Sequence, residues 1–467
     1  MSTTLSPLAA GLRLSRPAAL AVLATAMFVI ILDSSMVNLA ASTIRTGLEL
    51  SATELTAMAN GYLVALAGLM LLGGRLADVL GGRRMFVIGM ATYVTASAVS
   101  ALAVNGPMLL AGRIGQGIGA ALAVPAALTL VLLLFSTPAE RTRAMGVWGA
   151  VAGAGSLVGV FLGGTLTQVL GWQSVFWAPV PLGIVAIAAV LHTVPAVPGR
   201  AGQFDAAGAL TITTGVSSLA LGLLTAADAG WSSASTLAPL GIGIASLLAF
   251  VVVERRTAHP LVPLGVFRRP PLMIAAGVMV LGGATLASLF FFLPLYQQEV
   301  LGMDALTTGM TQIPLAVMII VGSALAPLLA QWLGLRGALP AGLAILLAGL
   351  AWLALNSAPV FGWQHLVAFV LIGTGLGLSS VNAIAMGVRD SADEESGLLS
   401  GLVNAAQQLG GAVGLAALAG IAIGSVGAAG EVSFTTAFLG EVALVLIALA
   451  LSLLPTGGRR RIPAMVA

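Results

Sequence analysis

The chain has 467 residues, of which 59% are hydrophobic and only 7% are charged, whereas an average soluble domain has about 25% charged residues. Its mean hydropathy of +1.07 indicates an integral membrane protein. The chain has no cysteine, which excludes a disulfide, a thiolate metal site and a cysteine nucleophile.

Fourteen apolar segments are long enough to cross a hydrocarbon core, which takes about 20 residues of helix. They lie at 18–40, 54–73, 86–104, 107–135, 141–170, 173–193, 204–225, 235–253, 271–297, 306–330, 337–356, 365–388, 396–426 and 434–455. The first segment follows Arg13 and Arg16, as a signal peptide would, but it contains Asp33 and no clear cleavage site. We therefore predict a retained helix and an all-α integral membrane fold with fourteen transmembrane helices.

The arginines predict the orientation of these helices. If the N-terminus lies inside, seventeen of the 19 basic residues, all of them arginines, fall on the inner side. These are Arg13, Arg16, Arg75, Arg83, Arg84, Arg141, Arg143, Arg200, Arg255, Arg256, Arg268, Arg269, Arg336, Arg389, Arg459, Arg460 and Arg461. Arg45 lies outside and Arg113 lies within span 4. The bias follows the positive-inside rule, so we expect both termini in the cytoplasm and no role in nucleic-acid binding.

An internal echo predicts two repeats. Segment 74–84, between spans 2 and 3, resembles 329–336, between spans 10 and 11. The number of residues from Gly81 to Gly334 along the chain is the repeat offset. This offset places Gly334 on Gly81 and Arg336 on Arg83. These are equivalent loops if spans 1–6 and 9–14 are two six-helix bundles around an inserted pair. We predict bundles at 1–193 and 257–467 and inserted helices 7 and 8 at 194–256, an organisation typical of secondary transporters.

Three charged residues lie deep inside predicted spans, Asp33, Arg113 and Glu441. Asp33 is about 22 Å from the inner end of span 1, and Arg113 is about 9 Å from the outer end of span 4. Charged groups at membrane depth are costly and usually functional, so Asp33 is a candidate proton carrier and Arg113 its partner. A structural carboxylate and an arginine that snorkels to the interface are the alternatives. Glu441 in span 14 is a candidate secondary acid that could face the cavity, an outer vestibule or lipid headgroups.

Glycines mark two further candidate sites. Span 5 carries a series of glycines. Where small residues recur at every fourth position in this series, we expect a second helix to approach closely. The series comprises Gly149, Gly153, Gly155, Gly159 and Gly163. The loop between spans 2 and 3 is a candidate gating latch, with an ordinary solvated turn as the alternative. Its residues are Gly74, Asp78, Gly81, Arg83 and Arg84.

Several chemistries find no support in the sequence. The glycine triplets at 115–119 and 373–377 superficially resemble dinucleotide loops, but they lie in apolar helices without a preceding strand, so helix packing is predicted. The chain lacks the lysine of a nucleotide-binding loop. Its three histidines are scattered, and no nucleophile–base–acid set is visible. We therefore predict no metal, no cofactor and no enzyme activity.

Together these segments resemble the major facilitator superfamily, specifically its fourteen-helix drug:proton antiporters. Residues 74–84 resemble the signature loop, 32–40 the motif of span 1, 113–121 that of span 4 and 149–164 the antiporter motif; 171–176 and 293–296 also match. The chain departs from the family at Val160, where proline is usual, and at Gly82, where a basic residue is usual. Span 13 offers Asn404, Gln407 and Gln408 where some relatives carry acids.

The resemblance implies a monomeric exporter in a bacterial cytoplasmic membrane. It would move amphipathic or lipophilic drugs by alternating access, driven by the proton gradient, with Asp33 and Arg113 in proton coupling. The expected apolar cavity contacts are Phe28, Met36, Tyr62, Trp148 and Phe292. A metabolite exporter or uptake symporter of the same superfamily is one alternative, and a non-transporting membrane receptor or scaffold is another.

Overall fold

The computed structural model describes residues 16–135, 138–195, 205–257, 260, 264–356, 360–389, 393–424 and 432–455. Those residues form fourteen α-helices and one 3-10 helix, Leu264–Arg268. The first seven helices are α1 Arg16–Gly47, α2 Ala52–Leu80, α3 Gly82–Ala101, α4 Gly106–Leu134, α5 Pro138–Leu170, α6 Gln173–Trp177 and α7 Pro179–Thr193. The others are α8 Ala206–Ala229, α9 Ala234–Arg256, α10 Pro270–Glu299, α11 Ala305–Leu355, α12 Trp363–Gly387, α13 Asp393–Gly424 and α14 Phe434–Ser452.

The helices confirm the prediction of an all-helical membrane protein. Among the described residues, eleven segments are long and apolar enough to cross a membrane. Helices α6 and α7 form one of them, because Ala178 between them keeps helical backbone angles. Helix α11 also counts once, although it contains two predicted spans. Some side chains of α2 and α5 lie outside the described part of the chain, and within that part α5 contributes a shorter apolar segment, Val158–Leu170.

Polar side chains fix several helix starts. Ser51 and Glu54 form a capping box at α2, in which each accepts a hydrogen bond from the other's backbone N–H. Asn105 caps α4, and Asp304 caps α11 by accepting a 2.7 Å hydrogen bond from the Thr307 N–H. These caps satisfy amides that the first helical turn leaves without partners.

Two single glycines interrupt otherwise continuous helical paths. Gly81 separates α2 from α3 with φ 96° and ψ 129°. Gly334 is the non-helical residue inside α11, with φ 67° and ψ 163°. A side chain strains the backbone at positive φ, so glycine suits both positions. The sequence echo therefore coincides with two backbone breaks of the same kind, separated by the repeat offset.

The glycine triplets confirm the prediction of helix packing and show the repeat again. A Cβ added to Gly117 would lie 2.5 Å from Tyr62 O, and one added to Gly373 would lie 2.5 Å from Leu315 O. Tyr62 and Leu315 are also separated by the repeat offset. Gly117 thus packs α4 onto α2 in the same way as Gly373 packs α12 onto α11.

Two groups of helices therefore share one packing plan, α1–α7 (the first group) and α10–α14 (the second group). In the first group α5 packs on α1 through Gly155 and Gly159, and in the second α13 packs on α10 through Gly410 and Gly414. The groups meet where α5 contacts α11, α2 contacts α13 and α1 contacts α10. Helix α8 lies against both α2 and α13, and α9 lies against α8.

The groups make close contact on the side of the bundle where α1 ends and α2 begins, here named the Arg45 face. Arg45 Nη1 pairs with Glu299 Oε1 at 2.9 Å, and Gln298 Nε2 donates to Leu39 O at 2.8 Å. A Cβ on Gly309 of α11 would lie 2.7 Å from Val160 O of α5. These contacts close the seam between the groups on this face.

Candidate functional site

Asp33 and Arg113 form a buried ion pair between α1 and α4. Arg113 Nη1 lies 3.1 Å from Asp33 Oδ2, and the arginine and aspartate side chains are 3% and 0% exposed, respectively. The structure thus brings the two predicted residues together directly, and Arg113 does not snorkel in this conformation. A desolvated charge is tolerable at this depth because its partner compensates it.

Two polar residues that sequence reasoning missed complete the pair. Gln116 accepts a 2.9 Å hydrogen bond from Arg113 Nη1 and donates from Nε2 to Asp33 Oδ1 at 3.2 Å. Its Nε2 also lies 3.2 Å from Ser97 Oγ, which donates to Phe176 O at 2.7 Å. The available signal was the spacing of Arg113 and Gln116, which puts them on one helix face. The network links α1, α3, α4 and α6.

The Tyr62 ring covers the guanidinium. Arg113 Cζ lies 4.4 Å from the ring centroid, a distance typical of a cation–π contact. Tyr62 is one of the predicted cavity residues, and the structure places it against the ion pair. The arginine is therefore held by a carboxylate, an amide oxygen and an aromatic face.

The glycine series packs α5 against the part of α1 that carries Asp33. A Cβ on Gly159 would lie 2.7 Å from Leu32 O, and one on Gly163 would lie 2.7 Å from Met36 Cα. Gly155 approaches Phe28 O in the same way, at 3.0 Å. At these three glycines the backbones of α5 and α1 lie too close for a larger side chain, as in other small-xxx-small contacts.

Some predicted residues fall outside what the structure describes. The surroundings of Gly149 and Gly153 and the side chains of Trp148 and Asp78 are among them.

The described latch residues connect helices within the first group. Arg83 Nη2 donates to Leu191 O at 2.7 Å, near the end of α7, where a cation is favourable. Gly81 provides the backbone break, and Arg84 lies in the first turn of α3. A Cβ on Gly74 would lie 3.7 Å from Pro125 Cβ, an ordinary contact distance, so packing does not demand glycine there. The gating role of these residues stays a prediction.

The remaining cavity candidates are packed in this conformation. Met36 and Phe292 are fully buried in one continuous apolar cluster, and Phe28 is half-buried at its edge. Their contact with cargo stays a prediction that requires the cluster to open.

Glu441 is fully buried in α14. Both carboxylate oxygens lack a hydrogen-bond partner among the residues that the structure describes. In this conformation the side chain faces neither an open cavity, an outer vestibule nor lipid headgroups, because it has no exposed surface, and its role as a secondary acid stays a prediction. Within the same described ranges, no three His, Asp or Glu side chains cluster closely enough to hold a metal ion.

Known proteins resemble this chain in both sequence and fold. The model of the Major Facilitator Superfamily matches residues 23–415. The chain is 37% identical to the cephamycin export protein CmcT of Amycolatopsis lactamdurans, over 84% of this chain and 82% of that protein. It is 34% identical to the puromycin resistance protein pur8 of Streptomyces alboniger, over 84% and 79%. The lincomycin resistance protein of Streptomyces lincolnensis is 32% identical, over 94% and 92%.

A solved structure extends the likeness to the fold. The POT family transporter PepTSo aligns with a TM-score of 0.71 at 15% identity, covering 94% of this chain and 96% of that one. At this identity the likeness concerns the fold alone. The family match over most of the chain, together with the three relatives at 37%, 34% and 32% identity, identifies this protein as a member of the Major Facilitator Superfamily, a family of membrane transporters.

Proposed function

We propose that this transporter exports antibiotic-like small molecules from a bacterial cell in exchange for protons. The relatives named for cephamycin export and for puromycin and lincomycin resistance support the cargo class. The observation that carries the proton-coupling part is the buried Asp33–Arg113–Gln116 network. A buried acid with a single cationic partner can exist as a paired carboxylate or as a neutral acid, which is what a proton carrier requires.

Protonation of Asp33 changes the balance of charge at this site. The neutral acid no longer compensates Arg113, whose remaining contacts among the described residues are with Gln116 and Tyr62. Removing one charge of a buried pair is strongly destabilising, so a rearrangement that gives Arg113 another partner becomes favourable. Cargo that binds one conformation better shifts the same equilibrium.

A chain of packed backbones connects this site to the seam between the groups. Asp33 lies on α1, which Gly159 and Gly163 join to α5. The next residue, Gly164, has its Cα against α11, since an added Cβ would lie 2.6 Å from Ala305 O. Movement of α1 after proton exchange therefore reaches the seam through α5 without an intervening loop.

We further propose fourteen crossings in two six-span bundles, at 1–193 and 257–467, with α8 and α9 as an insert at 194–256. Helices α6 and α7 would count as one crossing and α11 as two, divided at Gly334. The arginine distribution supports cytoplasmic termini, and the Arg45 face is then the outer face. The seam closed on this face supports a conformation shut toward the outside. Such a transporter would work as a monomer, with a proton gradient and no cofactor.

Proton movement in everted membrane vesicles tests the function. A pH-sensitive dye reports an established gradient, and cephamycin, puromycin and lincomycin are then added to wild type and Asp33→Asn. We expect drug-triggered gradient collapse in wild type and none in Asp33→Asn, because an amide cannot carry the proton. Asp304→Asn is the matched control, since Asp304 is an exposed acid and asparagine caps a helix equally well. Equal collapse in Asp33→Asn and wild type would rule out Asp33 as the proton carrier.

A further inference from the structure

A chain of buried polar side chains lies between α10 and α11 near the Arg45 face. Gln297, Thr308 and Gln312 are each no more than 1% exposed. Gln312 Nε2 lies 2.7 Å from Gln297 Oε1, and Gln297 Nε2 lies 2.9 Å from Thr311 Oγ1. Polar groups buried in apolar surroundings are costly unless each has a partner.

The hydrogen-bond directions leave one acceptor open. The Thr311 hydroxyl donates to Thr308 O at 2.9 Å, so its oxygen must accept from the amide nitrogen of Gln297. Gln297 then presents its oxygen to Gln312, whose own carbonyl oxygen has no partner among the described residues. The hydroxyl of Thr308, one turn away on the same helix face, also has none. An unmade hydrogen bond on a buried acceptor is a penalty that a donor can remove.

Packing alone does not call for these polar residues. The positions in the first group that correspond to the polar chain through the repeat offset are Ile44, Leu55, Met58 and Ala59, and all four are buried apolar side chains. In the first group, α1 and α2 therefore meet at these positions through apolar side chains. In the second group, α10 and α11 meet at the corresponding positions through hydrogen-bonded polar side chains. This difference indicates a role in function rather than in folding.

The open acceptor lies beside the seam. Gly309 follows Thr308, and a Cβ on it would lie 2.7 Å from Val160 O and 2.9 Å from Leu39 Cδ2, both in the first group. Val160 in turn follows Gly159, which packs against Leu32, the neighbour of Asp33. Gln312 lies three residues after Gly309, so the two residues lie close together on one side of α11. Separation of α5 from α11 would uncover it.

We propose that Gln312 and Thr308 form a hydrogen-bonding subsite for cargo that carries an amine, amide or hydroxyl donor beside an apolar body. The subsite is covered while the Arg45 face is closed and becomes accessible when the seam opens. It rests on the proposed export function, since it needs cargo to pass between the two groups. Gln312 selects for donor-bearing cargo, and lipophilic compounds without donors gain nothing from it.

Equilibrium binding to the purified full chain in detergent tests this subsite. Two lipophilic cations serve as probes, ethidium with two arylamine donors and tetraphenylphosphonium with none. Gln312→Leu removes the acceptor, and Gln297→Leu combined with Gln312→Leu reproduces the apolar contact of the first group. We expect both variants to weaken ethidium binding roughly two- to tenfold, the range of one net hydrogen bond, and to change tetraphenylphosphonium binding less than twofold. Gln331 is an exposed glutamine of α11, close to the break at Gly334. Gln331→Leu is the control and should change the binding of neither probe.

The outcomes are separable from those of the vesicle experiment. Equal weakening of both probes, an unchanged ethidium affinity, or no ethidium binding by wild type would each overturn the subsite. The double variant keeps the test valid if Gln312→Leu alone is unstable, because it leaves no glutamine without a partner. Binding in detergent needs no proton gradient. Donor-selective binding of ethidium, together with no gradient collapse on addition of ethidium to wild-type vesicles, would therefore support the subsite and refute antiport of that cargo.

Discussion

Arg113 holds the candidate coupling site together at the scale of single residues. Its Nη1 reaches both the carboxylate of Asp33 and the amide oxygen of Gln116, while the Tyr62 ring lies 4.4 Å from its guanidinium carbon. Each contact compensates part of the desolvation of a cation at membrane depth. Loss of the arginine would leave Asp33 charged and without a cationic partner.

We expect Arg113→Ala to stop or uncouple transport and to lower stability by about 3 kcal/mol or more while Asp33 stays ionised. Arg113→Lys should retain part of both properties, because an ammonium group keeps the charge but lacks the planar fork. Drug-dependent proton flux across a pH series and the melting temperature in detergent measure the two effects. A variant with wild-type flux at every pH would exclude Arg113 from proton coupling and leave it a structural role only.

The charged residues that sequence predicted and the polar residues that it missed differ in how strongly hydrocarbon disfavours them. Asp33 and Arg113 carry charge, and a charge within a long apolar run stands out because hydrocarbon so strongly disfavours it. Gln116 and Gln312 are neutral, and neutral polar side chains are common in membrane helices. Their importance depends on which neighbours fold beside them, and the order of residues along one helix does not contain that information.

At the scale of elements, α5 acts as the link between the ion pair and the seam. Its glycines bring its backbone against α1 on one side, and Val160 and Gly164 contact α11 on the other. The glycine spacing predicted a close approach along α5, but it did not identify α1 as the helix that approaches. It could not predict the second, because the partner residues Ala305 and Gly309 come from a distant helix and carry no spacing signal of their own.

Gly159→Ala tests this link. The added methyl group would lie 2.7 Å from Leu32 O and 2.8 Å from Ser35 Cβ, so α1 and α5 must separate. We expect a loss of about 1–3 kcal/mol of stability, as for other overpacked cores, and a strong reduction in transport rate. Gly282→Ala is the control, since a Cβ at Gly282 of α10 would meet nothing within 4 Å. If both variants transported drug at the wild-type rate, close packing of α5 on α1 would not be required for coupling.

Closure of the Arg45 face is a property of the whole molecule. It needs both groups of helices and is invisible to any local pattern, although the repeat itself could be recognised from the echo of Gly81 in Gly334. The Arg45–Glu299 pair spans the seam, but its side chains are 28% and 26% exposed, so it contributes little energy. The close backbone contacts at Gly164 and Gly309 are the firmer part of this closure. Alternating access requires all of them to separate in each cycle.

Cross-linking the seam tests that requirement, and the natural absence of cysteine gives a clean background. We expect a short, reducible bis-thiosulfonate reagent to join Arg45→Cys to Glu299→Cys, to stop transport, and to release it after reduction, because the Arg45 face can no longer open. Arg16→Cys with Glu140→Cys is the matched control, since that pair lies 3.1 Å apart but joins α1 to α5 within one group. Cross-linking there should leave transport running. Continued transport with Arg45→Cys and Glu299→Cys joined would mean that cargo leaves without the groups separating on this face.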